Sequence, residues 1–295
     1  MEKATIIIPL YGNHESKNNI YYVTEKWLSQ SFPCEVIIAI AGNVEVEVAG
    51  SSDPERNVKI VRLGEEEKSP ARLRNVAAMH SRSQWLYLSD ADIFPIGNRY
   101  LENAIDLARR GIFCQPWMRR LIPNGKEIPS SIHAGPQGTN FCYSMLDEYG
   151  NLVKIDGEII SWKEMQVGNK DMIIPTVVPP SAAQDIIGPK RRRQPSFHWG
   201  GALMKRNIFF DIGGYCERYF GWGGEDDDLL IKASRENRII YGWKMAPTLL
   251  CGHFEHEYPY DGTSELQNNR TLLKKRVKMG AERMIAEDRI RMRDF

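Results

Sequence analysis

Four consecutive acids, Glu225–Asp228, follow a glycine- and tryptophan-rich hinge within Phe220–Leu230, FGWGGEDDDLL. Four like charges in a row repel one another. A helix N-terminus stabilises a nearby carboxylate by about 0.3–1 kcal/mol, enough to account for one or two of them and not for four. Gly221, Gly223 and Gly224 open backbone conformations closed to other residues and permit close approach to a ligand. Trp222 offers a flat apolar face of the kind that stacks on a sugar ring. Carboxylates beside an aromatic platform suit the deprotonation of a hydroxyl, and so point to carbohydrate chemistry. The plainer alternative is an acidic, solvated first helical turn.

Two further groups could hold a cation. Ser89-Asp90-Ala91-Asp92 follows the apolar run Trp85–Leu88. Residues two apart at a strand end point the same way, so both carboxylates can converge on one hard ion. In a parallel α/β sheet ligands sit at the carboxyl ends of strands, the right place for a metal bridging a diphosphate. A turn or helix cap is the alternative. Downstream, Cys251-Gly252-His253-Phe254-Glu255-His256 sets two histidines three apart, able to turn imidazole nitrogens onto a divalent metal or to lie as a surface pair. Mixed oxygen and imidazole ligation suits Mn²⁺. Lys190-Arg191-Arg192-Arg193 is the one strong basic run: a solvated loop, or a lid over a diphosphate, an acidic acceptor or an anionic membrane surface.

The elements that must position these residues alternate in type. Thr5–Leu10, Glu35–Ala41, Val58–Leu63 and Trp85–Leu88 are short apolar runs expected of strands. Between them, Ile20, Val23 and Trp27 recur at helical spacing, and Ser69-Pro70 is a strong helix start. Leu73, Val76, Ala77 and His80 would form one face of that helix, and Tyr100–Arg110 forms another helix. Such alternation implies a mostly parallel, doubly wound α/β sheet with helices on both faces. The pattern fades after about Gln115; residues 116–196 are expected to be a long insertion or lid with a small hairpin or two, including Leu152–Ile155 and Ile173–Val178. Ser264–Phe295 is expected to be a charged helix, packed or dimerising, which leaves a homodimer open.

Composition bounds the function. The 295 residues can bury a substantial core, and 42% hydrophobic with 26% charged is ordinary for a globular chain. A net charge of +1 argues against a nucleic-acid binder. Five scattered cysteines without a CxxC pair favour reduced thiols. No apolar run is long enough to span a bilayer, and the N-terminus has no signal-peptide pattern. The expectation is a cytoplasmic protein, with peripheral membrane contact left open.

In this order, Asp90-Ala91-Asp92, Trp222-Gly223-Gly224-Glu225-Asp226-Asp227-Asp228 and the later histidine motif resemble a GT-A-fold glycosyltransferase, a Rossmann-like nucleotide-diphospho-sugar transferase. The resemblance is to the β-1,4-galactosyltransferase group and to bacterial family-two enzymes, and it covers most of the chain outside the insertion and tail. It implies one catalytic domain over residues 1–260 and a helical tail over 261–295. Within that domain it implies a nucleotide-binding half at 1–115, the insertion at 116–196, and an acceptor and catalytic half at 197–260.

The resemblance also assigns roles. Asp226 would be the base that deprotonates the acceptor hydroxyl, with Glu225 and Asp227 holding sugar hydroxyls. Trp222, with Gly223 and Gly224, would bind the acceptor. Asp92, His253 and His256 would hold Mn²⁺ or Mg²⁺, His253 standing where the family has methionine. Pro9 and Tyr11 would approach the uracil, and Arg72, Arg74 and Asn75 would lie beneath the nucleotide. Asp90, Gly200 and Gly201, the glycines within Phe197–Met204, would border the donor. The implied reaction is metal-dependent, inverting transfer of a hexose or N-acetylhexosamine from a UDP-sugar to a glycan, glycolipid or peptide hydroxyl. Its rivals are a retaining polypeptide-type transferase, a non-catalytic sugar-nucleotide-binding module, and a nucleotidyltransferase. The last would need a Gly-rich, Arg-containing loop where Pro9-Leu10-Tyr11-Gly12-Asn13-His14 stands.

Overall fold

The computed structural model describes residues 2–11, 19–49, 57–64, 69–123, 133–135, 138–146, 152–167, 170–178, 200–246, 249–254 and 263–292, with side chains omitted at 119–178 and 243–244. His256, Lys190–Arg193, Phe197–Trp199 and the Gly12–His14 loop lie outside these residues.

A seven-stranded sheet forms the centre. Its strands are β1 (Ala4–Leu10), β2 (Cys34–Ala41), β3 (Val58–Leu63), β4 (Trp85–Leu88), β6 (Ile112–Cys114), β12 (Ala202–Lys205) and β13 (Ile239–Tyr241), in the order β13-β6-β12-β4-β1-β2-β3. β1 runs parallel to β2 and β4, β2 to β3, and β6 to β13; β12 alone is antiparallel to its neighbours. The sheet is therefore mostly parallel, as the alternating pattern predicts.

Strand periodicity divides the core. Ile6, Ile8, Val36, Ile38 and Ile40 point to one face, against Ile20, Val23 and Trp27 of α1 (Ile20–Leu28) and Tyr100, Leu101, Ala104 and Ile105 of α3 (Tyr100–Ala108). Ile7, Ile37 and Ala39 point to the other, against α2 (Pro70–His80), α4 (Arg206–Asp211) and α5 (Glu225–Ser234). Helices thus cover both faces.

α2 starts as expected: the Ser69 hydroxyl accepts from the Arg72 backbone N–H and Pro70 occupies the first turn. Its buried face differs from the expected one. Leu73 and Ala77 are buried, but Val76 is half-buried and His80 exposed; the inward positions also carry Arg74 and Asn75. Apolar periodicity cannot find a face whose purpose is to aim a guanidinium and an amide.

The 116–196 region holds more regular structure than a hairpin or two. β7 (Trp117–Pro123), β8 (His133–Gly135), β9 (Gly138–Leu146), β10 (Leu152–Val167) and β11 (Lys170–Val178) join a second seven-stranded sheet with β5 (Ile93–Pro95) and β14 (Leu250–Phe254). Antiparallel pairs run from β8 through β9, β10 and β11 to β7, and β14 lies parallel to β7 and antiparallel to β5.

After α6 (Gly242–Met245), the C-terminus also departs from expectation. It forms two helices, α7 (Ser264–Met279) and α8 (Ala281–Met292), because Gly280 adopts φ 85° and ends the first. Both pack on α5, where Leu273 meets Ile231 and Ile285 joins the cluster of Leu229 and Leu230. Cys34, Cys114, Cys216 and Cys251 are free thiols, and among the described residues no helix is long and apolar enough to cross a membrane.

Candidate active site

The acid run becomes the first turn of α5, capped by Gly224. The hinge works by left-handed backbone: Gly221, Gly223 and Gly224 have φ of 66°, 97° and 95°. At Gly224 a side chain is excluded twice over, by that φ and because its Cβ would lie 2.9 Å from Tyr219 Cε1. The turn leaves Trp222 and Phe220 exposed beside the helix N-terminus.

Helix geometry separates the four acids. Asp228 is fully buried in ion pairs with Arg276 and Lys232 and has no route to a sugar hydroxyl. Asp227 and Glu225 are buried, and Asp226 alone of the four is half-buried. Burial, and then the charge of Asp226, push the Glu225 carboxyl up to about 8, outweighing Arg74 at 3.5 Å. The shift favours the uncharged form of Glu225, which is a hydrogen-bond donor.

Arg74 joins the acid helix to the DxD segment. From its buried position in α2 it bonds Asp90 Oδ1, stands 3.5 Å from Glu225 and 3.9 Å from Asp226 Oδ1, and lies over the Tyr215 ring. Burial alone would lower its pKa, but Tyr215, Asp226, Asp90 and Glu225 raise it well above the usual value. It is a permanent cation that lets Asp90 and Asp226 stand near each other. The two converge on Gly200, where an added Cβ would lie 3.0 Å from Asp226 Oδ2 and 3.4 Å from Asp90 Oδ2.

Asp92 and His253 form a second group. β14 pairs His253 with Ile93, next to Asp92, and the Phe254 N–H donates to the Asp92 carbonyl. Asp92 Oδ2 stands 3.7 Å from His253 Nε2, and both side chains are buried. That gap is too long for a hydrogen bond and short enough for one cation to touch both. A carboxylate with an imidazole fits Mn²⁺ or Mg²⁺ better than a thiophilic metal. No cluster of three or more such ligands occurs among the described residues.

Other predicted residues fall elsewhere. Asn75 is fully buried: its amide donates to the Tyr215 carbonyl (3.0 Å) and Glu217 (2.9 Å), and its Oδ1 accepts from the Tyr215 N–H (2.8 Å). Arg72 is exposed on the first turn of α2, Pro9 is buried near the end of β1, and Tyr11 is half-buried just beyond it. Gly201 accepts from the backbone of Gln115, a buried residue at φ 52°.

Residues 187–257 match the family model described as the N-terminal domain of galactosyltransferase, a stretch containing Gly200, the acid run and His253. β-1,4-galactosyltransferase 4 from Homo sapiens is 36% identical over 50 residues, 17% of this chain and 14% of that protein. The Rattus norvegicus protein of that name is 40% identical over 42 residues, 14% of this chain and 12% of its own. Among solved structures, S. aureus TarS 1–349 in complex with UDP superposes with a TM-score of 0.51 at 14% identity, over 100% of this chain and 72% of that one. GalNAc-T7, crystallised with UDP, GalNAc and Mn²⁺, gives 0.53 at 14% identity over 93% of this chain and 48% of that one. This chain has the GT-A fold.

Sequence reasoning overlooked two parts of this GT-A site. Tyr215, whose phenol donates to Asp226 Oδ1 at 3.0 Å, belongs to no motif. Asn269 on α7 accepts from the Phe220 N–H (3.3 Å) and donates to the carbonyls of Phe220 (2.9 Å) and Trp222 (3.1 Å), clamping the hinge from a helix some forty residues downstream. Neither position carries a local signal; only contact across the fold reveals it.

Proposed function

We propose that this chain is a divalent-metal-dependent, inverting glycosyltransferase that moves a hexose or N-acetylhexosamine from a UDP-sugar to an acceptor hydroxyl on a glycan, glycolipid or peptide. The observation carrying the reading is the convergence of Asp226, the only half-buried acid of the run, and Asp90 on the small space at Gly200. The match of residues 187–257 to a galactosyltransferase domain, and the UDP and Mn²⁺ bound by proteins of the same fold, support it.

In this reading the acceptor sugar stacks on Trp222, with its attacking hydroxyl beside Asp226. Asp226 takes the hydroxyl proton as the oxygen–C1 bond forms and the C1–phosphate oxygen bond breaks, inverting the anomeric carbon. Positioned general-base chemistry of this kind contributes roughly 10²–10⁴-fold in rate. Glu225, whose pKa is raised by burial, and Asp227 hold sugar hydroxyls, and Arg74 keeps Asp90 and Asp226 side by side. Asp92 and His253, joined by His256 in this proposal, would hold a Mn²⁺ or Mg²⁺ ion, which when bound supplies positive charge for the departing diphosphate.

The test is a panel of UDP-sugars assayed for Mn²⁺-dependent hydrolysis and transfer, with the product anomer read by NMR. Asp226→Asn should retain Mn²⁺-dependent UDP binding and lose transfer by roughly 10²–10⁴-fold. Undiminished transfer by that variant removes Asp226 from the base role. A product of retained configuration removes the inverting mechanism.

A further inference from the structure

We infer that Tyr215 is the residue that positions Asp226, holding its Oδ1 so that Oδ2, the oxygen facing Gly200, takes the acceptor proton. The inference rests on the reading of Asp226 as the base.

The two oxygens of Asp226 have different surroundings. Oδ1 turns into the body of the protein, where the Tyr215 phenol donates to it at 3.0 Å and Arg74 Nη1 stands 3.9 Å away. Oδ2 turns the other way, 3.0 Å from the point a Gly200 Cβ would occupy, on the same side as Asp90 Oδ2. A carboxylate held by one oxygen cannot rotate about its Cβ–Cγ bond without breaking that hydrogen bond. The phenol therefore decides which oxygen meets the acceptor.

Tyr215 is itself held in place. It is 1% exposed, and Asn75 grips its backbone at both N–H and carbonyl while the Arg74 guanidinium lies 5.1 Å from its ring centroid. Gly214, at φ 58°, makes the approach possible, since a Cβ there would lie 2.6 Å from Asn75 Oδ1. Two consecutive residues of α2, Arg74 and Asn75, thus reach Asp226 by different routes, one through charge and one through Tyr215. Burial, and then the Asp226 charge, raise the Tyr215 pKa well above its usual value, so the phenol remains the donor.

Tyr215→Phe removes one hydrogen-bond donor and preserves the packed ring. Among the described residues, the groups facing Asp226 include Arg74 from α2, Asp90 from the segment after β4, Tyr215, and Glu225 from its own helix. A hydrogen bond to the ionised carboxylate favours that form, so its loss should move the acid limb of the kcat profile to higher pH. At neutral pH kcat should fall about tenfold, the worth of one hydrogen bond to a charged group, while the KM for the UDP-sugar stays within about twofold. Gly200→Ala, assayed in parallel, should cost at least as much because its Cβ occupies the space before Oδ2. Circular dichroism and UDP binding verify that both variants fold.

A Tyr215→Phe profile superimposable on that of the unaltered protein, with Asp226→Asn inactive, overturns the inference and leaves the base assignment standing. An active Asp226→Asn overturns both. Full activity in Gly200→Ala overturns the assignment of Oδ2.

Discussion

Arg276, near the end of α7, forms a two-pronged ion pair with Asp228, the last of the four consecutive acids, and neither side chain is more than 1% exposed. The same guanidinium bonds Asp288 of α8, which in turn pairs with Lys232 of α5. Two acids and two bases are thus sealed between the acid helix and the C-terminal helix pair.

Removing one member of this group leaves buried charge without compensation, which costs about 3–5 kcal/mol. Arg276→Ala should therefore lower the unfolding free energy by about that much in denaturant titrations. Arg283→Ala, at an exposed position of α8, should change it by less than about 0.5 kcal/mol.

Asn269 holds the Phe220 and Trp222 carbonyls and the Phe220 N–H, so it governs the hinge rather than the chemistry. Asn269→Ala should raise the acceptor KM by roughly tenfold, the loss of one or two net hydrogen bonds. Acceptor-independent UDP-sugar hydrolysis should persist at its original rate, and steady-state kinetics with both readouts separates the two.

Glu225 imposes a pH dependence on stability. Its folded pKa, about 8, lies above the ordinary 4.5, so between those values the folded state keeps a proton that the unfolded chain releases. The folded state binds more protons there, and the contribution of Glu225 to stability falls as pH rises from about 4.5 to about 8, then levels off. Glu225→Gln should flatten that fall. Denaturant midpoints at pH 5, 6.5 and 8 for both proteins measure it, and identical slopes would contradict the shift.

His253 faces Asp92 at 3.7 Å, so His253→Ala should weaken Mn²⁺ binding by roughly tenfold or more, read by Mn²⁺ electron paramagnetic resonance titration. Chelation should abolish transfer by the unaltered protein, and added Mn²⁺ should restore it.

Much of the fold of residues 1–115 was legible in the chain itself. The runs Val58–Leu63 and Trp85–Leu88 coincide with β3 and β4, and Ser69-Pro70 marks the start of α2. β4, buried throughout, writes itself as a continuous apolar stretch, and a cap with a following proline is local chemistry. β3, expected to be buried, is instead a sheet edge with no buried residue, its apolar run broken by Lys59 and Arg62. The insertion was less legible. Its strands pair with one another and with β14 across long separations, and β10 spends sixteen residues on a run whose polarity hides it.

Residue types and spacing by themselves pointed to the kind of site: an acid run behind a Gly/Trp hinge, a DxD after a buried strand and two histidines three apart. They also determined the alternating fold that sets such groups at strand ends. What only the tertiary structure decided is the different surroundings within the acid run, sending Asp228 into the Arg276 pair, burying Glu225 so that its pKa rises and turning Asp226 toward Gly200. Charge and sequence position are nearly identical for these acids. Their fates diverge because successive residues of a helix point about 100° apart, and each meets whatever the rest of the fold has placed there.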